Sequence, residues 1–160
     1  GLINDKRILD VCRRKGYKIR FVPHPNMMQQ IKDFDKNDVV EIVKKNVVYR
    51  DEFKTNKLLV TDFSSVHFDF AYLKKPVIYT QYDRDTFYDG QIYEEGYFDM
   101  EKDGFGPVCY DYETSVKEIV KAIKSDCKLT KKYEKRIDEC FMYRDQNNCK
   151  RVYDEIMKLK

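Results

Sequence analysis

The sequence predicts an α/β fold, in which a Rossmann-like parallel sheet is flanked by helices. Short apolar runs at residues 17–22, 39–43, 58–61 and 76–80 have the length of buried strands. Segments with apolar residues at helical spacing lie between them. Strands that alternate with helices form parallel βαβ units, and 160 residues are enough for one domain with its own core.

Glycine, proline and asparagine mark the ends of the predicted elements near the start of the chain. Gly16 ends a predicted helix over 2–15, because glycine readily adopts the left-handed conformation just past a helix end. Pro23 ends the first strand, since proline cannot donate to a sheet ladder. Asn26 can cap a helix over 26–34.

The same helical spacing predicts the elements of the rest of the chain. Five further helices are expected, over residues 51–57, 66–73, 112–125, 131–143 and 146–158. Asp145 is the expected cap of the last one. Residues 81–107 are predicted to be irregular, with a turn at Gly104-Phe105-Gly106-Pro107.

Composition excludes several classes of protein. The net charge is +3, from 31 basic and 28 acidic residues, which is too balanced for a nucleic-acid-binding surface. No apolar run has the length of a membrane span. The five cysteines form no Cys-x-x-Cys pair, so we expect neither a zinc site nor a disulfide framework. We therefore expect no nucleic-acid partner, no metal and no cofactor, and we expect the pair Lys74-Lys75 to be solvated.

Two polar clusters follow predicted strands. Pro23-His24-Pro25 follows the first strand, and Asp62-Phe63-Ser64-Ser65 follows the third. Ligands of open α/β sheets bind just past the carboxyl ends of the strands. The two clusters therefore predict one site, and their residue types suit phosphate.

Ser64 and Ser65 stand where a helix is predicted to begin. A helix N-terminus exposes unpaired N–H groups and carries partial positive charge, so it attracts phosphate. Serine is also a common helix cap, and capping by one of the two is the simpler explanation. The two roles are compatible, because a capping position also faces the ligand.

His24 and Asp62 are further candidates. The prolines around His24 restrict its backbone, and a rigid imidazole suits phosphate binding or proton transfer near neutral pH; a structural role is the alternative. Asp62 is expected to bond the backbone of its own turn, because a carboxylate repels phosphate; a contact with a ligand hydroxyl is the alternative. His67 is expected to pack or to lie on the surface.

The run from Thr61 to Ile78 closely resembles the signature of the CDP-glycerol glycerophosphotransferase family, which includes teichoic-acid primases, teichoic-acid polymerases and related ribitol-phosphate transferases. This run reads Thr-Asp-Phe-Ser-Ser-Val-x-Phe-Asp-Phe-Ala-Tyr-Leu-Lys-Lys-Pro-Val-Ile. The resemblance spans nearly the whole chain, through Pro23-His24-Pro25, Gln81-Tyr82-Asp83, Gly96-Tyr97-Phe98-Asp99, Gly104-Phe105-Gly106-Pro107-Val108 and Asp145-x-x-Asn148-Cys149-Lys150-Arg151-Val152. Phe63 departs from the tyrosine that the family commonly has, but an aromatic packing role does not need the hydroxyl.

The family is similar to type-B glycosyltransferases, in which two Rossmann-like domains face a cleft. The resemblance implies that residues 1–160 form a single donor-nucleotide-binding domain, the C-terminal half of a longer two-domain enzyme. The implied reaction transfers glycerol phosphate, or a related polyol phosphate, from a CDP-alcohol to a hydroxyl of a cell-wall polymer and releases CMP. The isolated domain is expected to be inactive, because the family's acceptor-side histidine belongs to the first domain.

The resemblance also implies roles for individual residues. His24 is the implied catalytic residue, at the donor pyrophosphate, and Ser64 and Ser65 hold phosphate oxygens. Asp62 remains a candidate ligand contact. Asp51 is a candidate contact for the cytosine base, with a plain helix cap as the alternative. The implied partners are a CDP-alcohol and, through the first domain, a lipid-linked polymer, which places the whole protein in the cytoplasm at the inner face of the bacterial membrane.

Two rival functions stay open on the sequence. One is a nucleotide-sugar glycosyltransferase domain, because one fold hosts many activities. The other is a noncatalytic nucleotide-binding module. The Pro-His-Pro and Asp-Phe-Ser-Ser motifs together favour the phosphotransferase over the first rival.

Overall fold

A computed structural model describes residues 1–24, 37–43, 47–87 and 96–159. The strands in these ranges are β1 (Ile19–Phe21), β2 (Val40–Ile42), β3 (Leu59–Thr61), β4 (Val77–Thr80) and β5 (Val108–Cys109). The helices are a 3-10 turn, Leu2–Asn4, followed by α1 (Lys6–Lys15), α2 (Tyr49–Thr55), α3 (Val66–Tyr72), α4 (Arg84–Phe87), α5 (Tyr112–Lys124), α6 (Lys131–Cys140) and α7 (Asn148–Met157).

Most predicted elements are confirmed, with shorter bounds, and three details are wrong. Residues 81–107 are not wholly irregular, because they contain α4. The two-residue strand β5 is too short to show an alternating pattern, so the sequence did not reveal it. The cap of α7 is Asn147 rather than Asp145, which instead accepts a hydrogen bond from the Asn147 amide at 2.9 Å. The predicted helix over 26–34 lies outside the described residues.

All strand pairs are parallel, as predicted for an α/β fold. Among the described residues they form two sheets rather than one: β1 pairs with β2, and β3, β4 and β5 pair in that order. The two sheets share a hydrophobic core, because Val39 beside β2 and Ile78 of β4 belong to the same buried cluster. Strand pairing is therefore interrupted between the two sheets, whereas the packing of their side chains is continuous.

Helices cover both faces of the strands. The α1–α5 core consists of Ile8, Val11, Cys12, Val39, Ile78, Cys109, Val116, Ile119 and Ile123. The aromatic core consists of Phe53, Phe70, Ala71, Val77, Tyr79, Phe105 and Ile137. Successive residues of β4 enter opposite cores, since side chains of a strand alternate between its faces. The strands therefore lie between α1 and α5 on one side and α2, α3 and α6 on the other.

Two ion pairs show that α1 and α5 run in the same direction. Arg7 contacts Glu113 at 2.6 Å near the start of both helices, and Lys15 contacts Asp126 at 3.1 Å past the end of α5. α1 turns back into β1 through Gly16, whose φ is 70°, and α5 follows β5 directly. In α/β folds a helix packs antiparallel to the strand it adjoins, so the common direction of α1 and α5 indicates that β1 points the same way as β5.

The pair Lys74-Lys75 is not simply solvated. The Lys75 ammonium group donates to the carbonyl oxygens of Phe53, Lys54 and Asn56 at 2.6–2.8 Å, where α2 ends. Lys74 contacts Asp138 of α6 at 2.9 Å. Lysine can satisfy the unpaired carbonyls of a helix end, so Lys75 fixes α2 beside the start of β4.

A buried chain of hydrogen bonds joins α3 to β4. The Phe105 amide donates to the Tyr79 hydroxyl oxygen at 3.2 Å, and the Tyr79 oxygen lies 2.9 Å from Nδ1 of His67. Donation by the Tyr79 hydroxyl to Nδ1 of a neutral imidazole satisfies the hydroxyl proton as well as the Phe105 amide. His67 is 2 % exposed, and burial lowers its pKa to about 4. The expectation that His67 packs is therefore confirmed.

The neutral His67 should make stability depend on pH. Its folded pKa of about 4 lies below the ordinary value of 6.5, so the unfolded chain binds the extra proton first and stability falls as pH falls through this window. We expect a loss of about 2 kcal/mol between about pH 7.5 and pH 5, measured by urea unfolding.

The His67→Asn variant retains an acceptor but does not titrate, so its stability should be nearly flat over the same range. His24→Asn is the matched control, because His24 is the other of the two histidines and is exposed. An unchanged pH dependence in His67→Asn would contradict this assignment.

Candidate functional site

The predicted site residues lie along the carboxyl edge of the strands. β3, β4 and β5 are parallel neighbours, so the segments that follow them emerge at one edge. β1 points in the same direction, so the segment that follows it emerges on that side as well. The turn Asp62-Phe63-Ser64-Ser65, which we call the serine turn, therefore lies on the edge where ligands of such sheets bind, and the direction of β1 indicates the same side for His24.

The serine turn leads directly into α3. Ser65 occupies the N-cap position, but its side chain makes no capping hydrogen bond. The turn is closed by the backbone instead, since the Phe68 amide donates to the Ser65 carbonyl oxygen at 3.1 Å. The prediction that one serine stands at the cap of this helix is confirmed for Ser65, but its hydroxyl makes no capping bond. Ser64 is half-buried and Ser65 is exposed.

Asp62 does not bond the backbone of its own turn. Its side chain is exposed, and no amide in the part of the chain that the structure describes donates to it. The expected turn bond is therefore wrong, because Ser64 and Ser65 accept the closing bonds through their carbonyl oxygens. The Asp62 carboxylate is left directed to solvent at the strand edge.

Phe63 holds the serine turn against the segment that follows β4. Its ring stacks on Phe87 of α4, with centroids 3.6 Å apart and planes 11° from parallel. This contact confirms that the aromatic at this position packs without needing a hydroxyl. Stacked aromatic pairs contribute about 0.5–1.5 kcal/mol beyond the area they bury, so α4 and the turn support each other.

His24 stands three residues past the end of β1. The preceding Pro23 is buried, whereas the His24 side chain is exposed. Burial of Pro23 anchors the segment and leaves the imidazole at the edge. Pro25, the second proline of the motif, lies outside the described residues.

Asp51 lies in the first turn of α2 and is not its cap. The N-cap residue is Val48, and the Asp51 carboxylate contacts Nε of Arg50 at 3.2 Å. The alternative of a plain helix cap is therefore wrong. α2 itself is held to β1 by Arg20, whose guanidinium bonds Glu52 at 2.6 Å and holds the pKa of that carboxyl below its usual range. Because α2 follows β2, its N-terminus and Asp51 begin on the carboxyl side of the strands.

Arg84 is a candidate that the sequence did not reveal. It opens α4 just after β4, is half-buried, and donates to the hydroxyl of Tyr110, the residue after β5. Its guanidinium lies over the Tyr110 ring at 5.6 Å. Arg84 also lies 3.8 Å from Glu101, so it brings a partly paired cation to the edge that also carries Asp62. Arg84 directly follows the Gln81-Tyr82-Asp83 motif in the sequence, and this position could have identified it as a candidate.

A groove of about 550 Å³ lies away from this edge, on the outer face of α1 and α5. Strand direction and residue chemistry mark the carboxyl edge as the candidate site. Among the described residues, no group of three histidine, cysteine, aspartate or glutamate side chains is arranged to hold a metal ion. Within the same ranges, no helix is both long and apolar enough to cross a bilayer.

A family model and several curated proteins are similar to this chain in sequence. The model of the family described as CDP-Glycerol:Poly(glycerophosphate) glycerophosphotransferase matches residues 2–158. The minor teichoic acid biosynthesis protein GgaB of Bacillus subtilis is 42% identical over 159 residues, which are 99% of this chain and 17% of GgaB. The teichoic acid poly(glycerol phosphate) polymerase of Bacillus subtilis is 30% identical over 109 residues, 68% of this chain and 14% of that protein.

A solved structure agrees with the fold. A variant of the wall teichoic acid polymerase TagF superposes with a TM-score of 0.65 at 23% identity, over 97% of this chain and 39% of the TagF chain. The chain thus spans less than half the length of the relatives it matches. Since the family model covers all but three of its 160 residues, the chain belongs to the CDP-glycerol:poly(glycerophosphate) glycerophosphotransferase family.

Proposed function

We propose that this chain is the donor-binding domain of a longer enzyme that transfers glycerol phosphate, or a related polyol phosphate, from a CDP-alcohol to a hydroxyl of a cell-wall polymer. The observation that carries the proposal is the serine turn, which presents two hydroxyls at the start of α3 on the carboxyl edge. Family membership supplies the substrate class. A second domain and a lipid-linked acceptor, at the inner face of the bacterial membrane, complete the proposed enzyme.

The proposed reaction is a displacement at the phosphorus that carries the glycerol. An acceptor hydroxyl oxygen forms the new bond to this phosphorus, and the bond to the CMP oxygen breaks. CMP leaves with the electron pair, and the hydroxyl proton passes to a base in the first domain. Negative charge grows on the leaving phosphate, so donors placed there lower the barrier.

Different residues of the carboxyl edge bind the phosphates and stabilise the charge that develops on them. Ser64 and Ser65 donate hydrogen bonds from their hydroxyls to phosphate oxygens of the CDP-alcohol. This role is supported by the Ser65 side chain, which makes no capping bond. His24 donates to the pyrophosphate as CMP leaves. Arg84 offsets charge from the side of β4.

The two acidic candidates bind neutral parts of the donor. Asp62 accepts from a glycerol hydroxyl, which suits an exposed carboxylate that its own turn does not use. Asp51 contacts the cytosine base at the start of α2.

A titration separates this function from its rivals. The domain should bind CDP-glycerol or CDP-ribitol more tightly than UDP-glucose, measured by calorimetry, because the motifs match the phosphotransferases. It should not form polymer by itself, since the proposed base lies in another domain. Preferential binding of UDP-glucose would favour the glycosyltransferase, and absence of turnover in the whole protein would favour a noncatalytic module.

Replacing both serines with alanine should weaken donor binding. A hydrogen bond to a charged group contributes about 1.5–3 kcal/mol, so the dissociation constant for CDP-glycerol should rise at least about tenfold. The melting temperature should change little, because the Ser65 side chain makes no cap bond. Ser125→Ala, at the end of α5, is the matched control. Unchanged affinity in the double variant would rule out a phosphate role for the turn.

Loss of His24 should affect turnover more than folding. Its bond to the leaving group strengthens as charge develops, so His24→Ala should slow CMP release about a hundredfold in the whole enzyme. The melting temperature should stay near that of the parent, since the side chain is exposed. His24→Gln, which keeps a donor, should retain part of the rate. Normal CMP release from a stable His24→Ala variant would remove His24 from the mechanism.

A further inference from the structure

A groove of about 550 Å³ runs along the outer face of α1 and α5. Arg7, Asp10 and Arg14 line it from α1, spaced three and four residues apart on one helix face. From α5 it is lined by Glu113, Thr114, Val116, Lys117, Val120 and Lys124. The two helices are parallel, so the groove follows their common direction and is lined by charged side chains together with Val116 and Val120.

Three cations of this groove are available to a ligand. Arg14, Lys117 and Lys124 are exposed, and none forms an ion pair or hydrogen bond with any residue that the structure describes. Arg7, in contrast, is held by Asp5 and Glu113, and Asp10 contacts Arg13 at 3.4 Å. The available charge in the groove is therefore positive.

Positive charge exceeds negative charge on these two helices. α1 and α5 together carry eight basic and three acidic side chains. Three carboxylates just outside the helices, Asp5, Asp38 and Asp126, pair with Arg7, Arg13 and Lys15 and reduce this excess. Within the groove the remaining positive charge is that of Arg14, Lys117 and Lys124, and cations gathered along one groove attract a polyanion.

One end of the groove lies toward the carboxyl edge that carries the candidate site. Its Arg7–Glu113 end lies where both helices begin, and α5 begins just after β5 at the carboxyl edge. Its Arg14–Lys124 end lies toward the opposite edge. A linear ligand in the groove therefore points along the helices toward the edge that carries the serine turn.

We propose that the α1–α5 groove binds an anionic phosphodiester chain, the poly(glycerol phosphate) polymer, at a distance from the reacting end. This proposal rests on the proposed function, which makes that polymer a substrate. Lys117 and Lys124 lie two turns apart, about 10 Å along the helix, so they contact different phosphates of one chain. Arg14 faces them from α1 and can bind a phosphate with two parallel N–H bonds. The groove follows the direction of the helices, and a linear polymer matches that shape.

Charge reversal in the whole protein tests the proposal. In the groove variant, Arg14→Glu, Lys117→Glu and Lys124→Glu are combined. In the control variant, Lys54→Glu, Lys131→Glu and Lys135→Glu make the same charge change at exposed positions on α2 and α6. The affinity for long synthetic poly(glycerol phosphate) should fall about tenfold or more in the groove variant and much less in the control. The difference should shrink at high salt, because salt screens exposed charges.

Several readouts keep the result decisive. CDP-glycerol affinity and extension of a one-unit acceptor test the proposed function. Polymer affinity is measured separately, so a parent protein that fails the first two assays does not by itself decide whether the groove binds the polymer. Equal polymer affinity in the groove and control variants overturns the groove assignment. So does a groove variant that keeps polymer binding but loses binding to phosphatidylglycerol vesicles, since the face would then contact a membrane. Lys117→Gln with Lys124→Gln provides the same test with a smaller change if the triple variant unfolds.

Discussion

The hydrogen bonds from the Phe105 amide through Tyr79 to His67 join three segments that are distant in sequence. Tyr79 belongs to β4, His67 to the first turn of α3, and Phe105 to the turn before β5. A buried polar group without a partner costs about 1–3 kcal/mol, so each of these segments stabilises the others. Because His67 follows Ser65 by two residues, this buried chain also determines where the serine turn stands.

Close backbone contact supports the same region. A side chain at Gly106 would place its first carbon 1.7 Å from the Val77 carbonyl oxygen, which only glycine avoids. This approach lets the turn around Phe105 lie directly against β4, with Phe105 fully buried between His67, Phe68 and Phe141. The aromatic core thus extends to the base of the candidate site, and the site rests on rigid packing rather than on its own loop contacts.

The two helical layers have different roles. The layer of α2, α3 and α6 packs through aromatic rings and supports the serine turn. The layer of α1 and α5 packs through aliphatic residues, is aligned by ion pairs at both ends, and carries the basic groove on its outer face. Since both layers cover the same strands, a donor at the edge and a polymer on the face can be bound by one small domain.

The sequence by itself determined most of the strands and helices, although not α4 and β5, together with the parallel class of the sheet and the family. These depend on local periodicity, on glycine and proline, and on long ordered motifs. It also placed His24, Asp62, Ser64 and Ser65 after strands.

Only the tertiary structure decided what their side chains contact. The Ser65 hydroxyl and the Asp62 carboxylate do not make the turn bonds that local rules favour, and Lys75 caps α2 from a distant segment. The buried state of His67, the stacking of Phe63 on Phe87 and the alignment of α1 with α5 likewise join residues far apart in the chain. Such contacts depend on how the elements pack in space, and no local pattern encodes that packing.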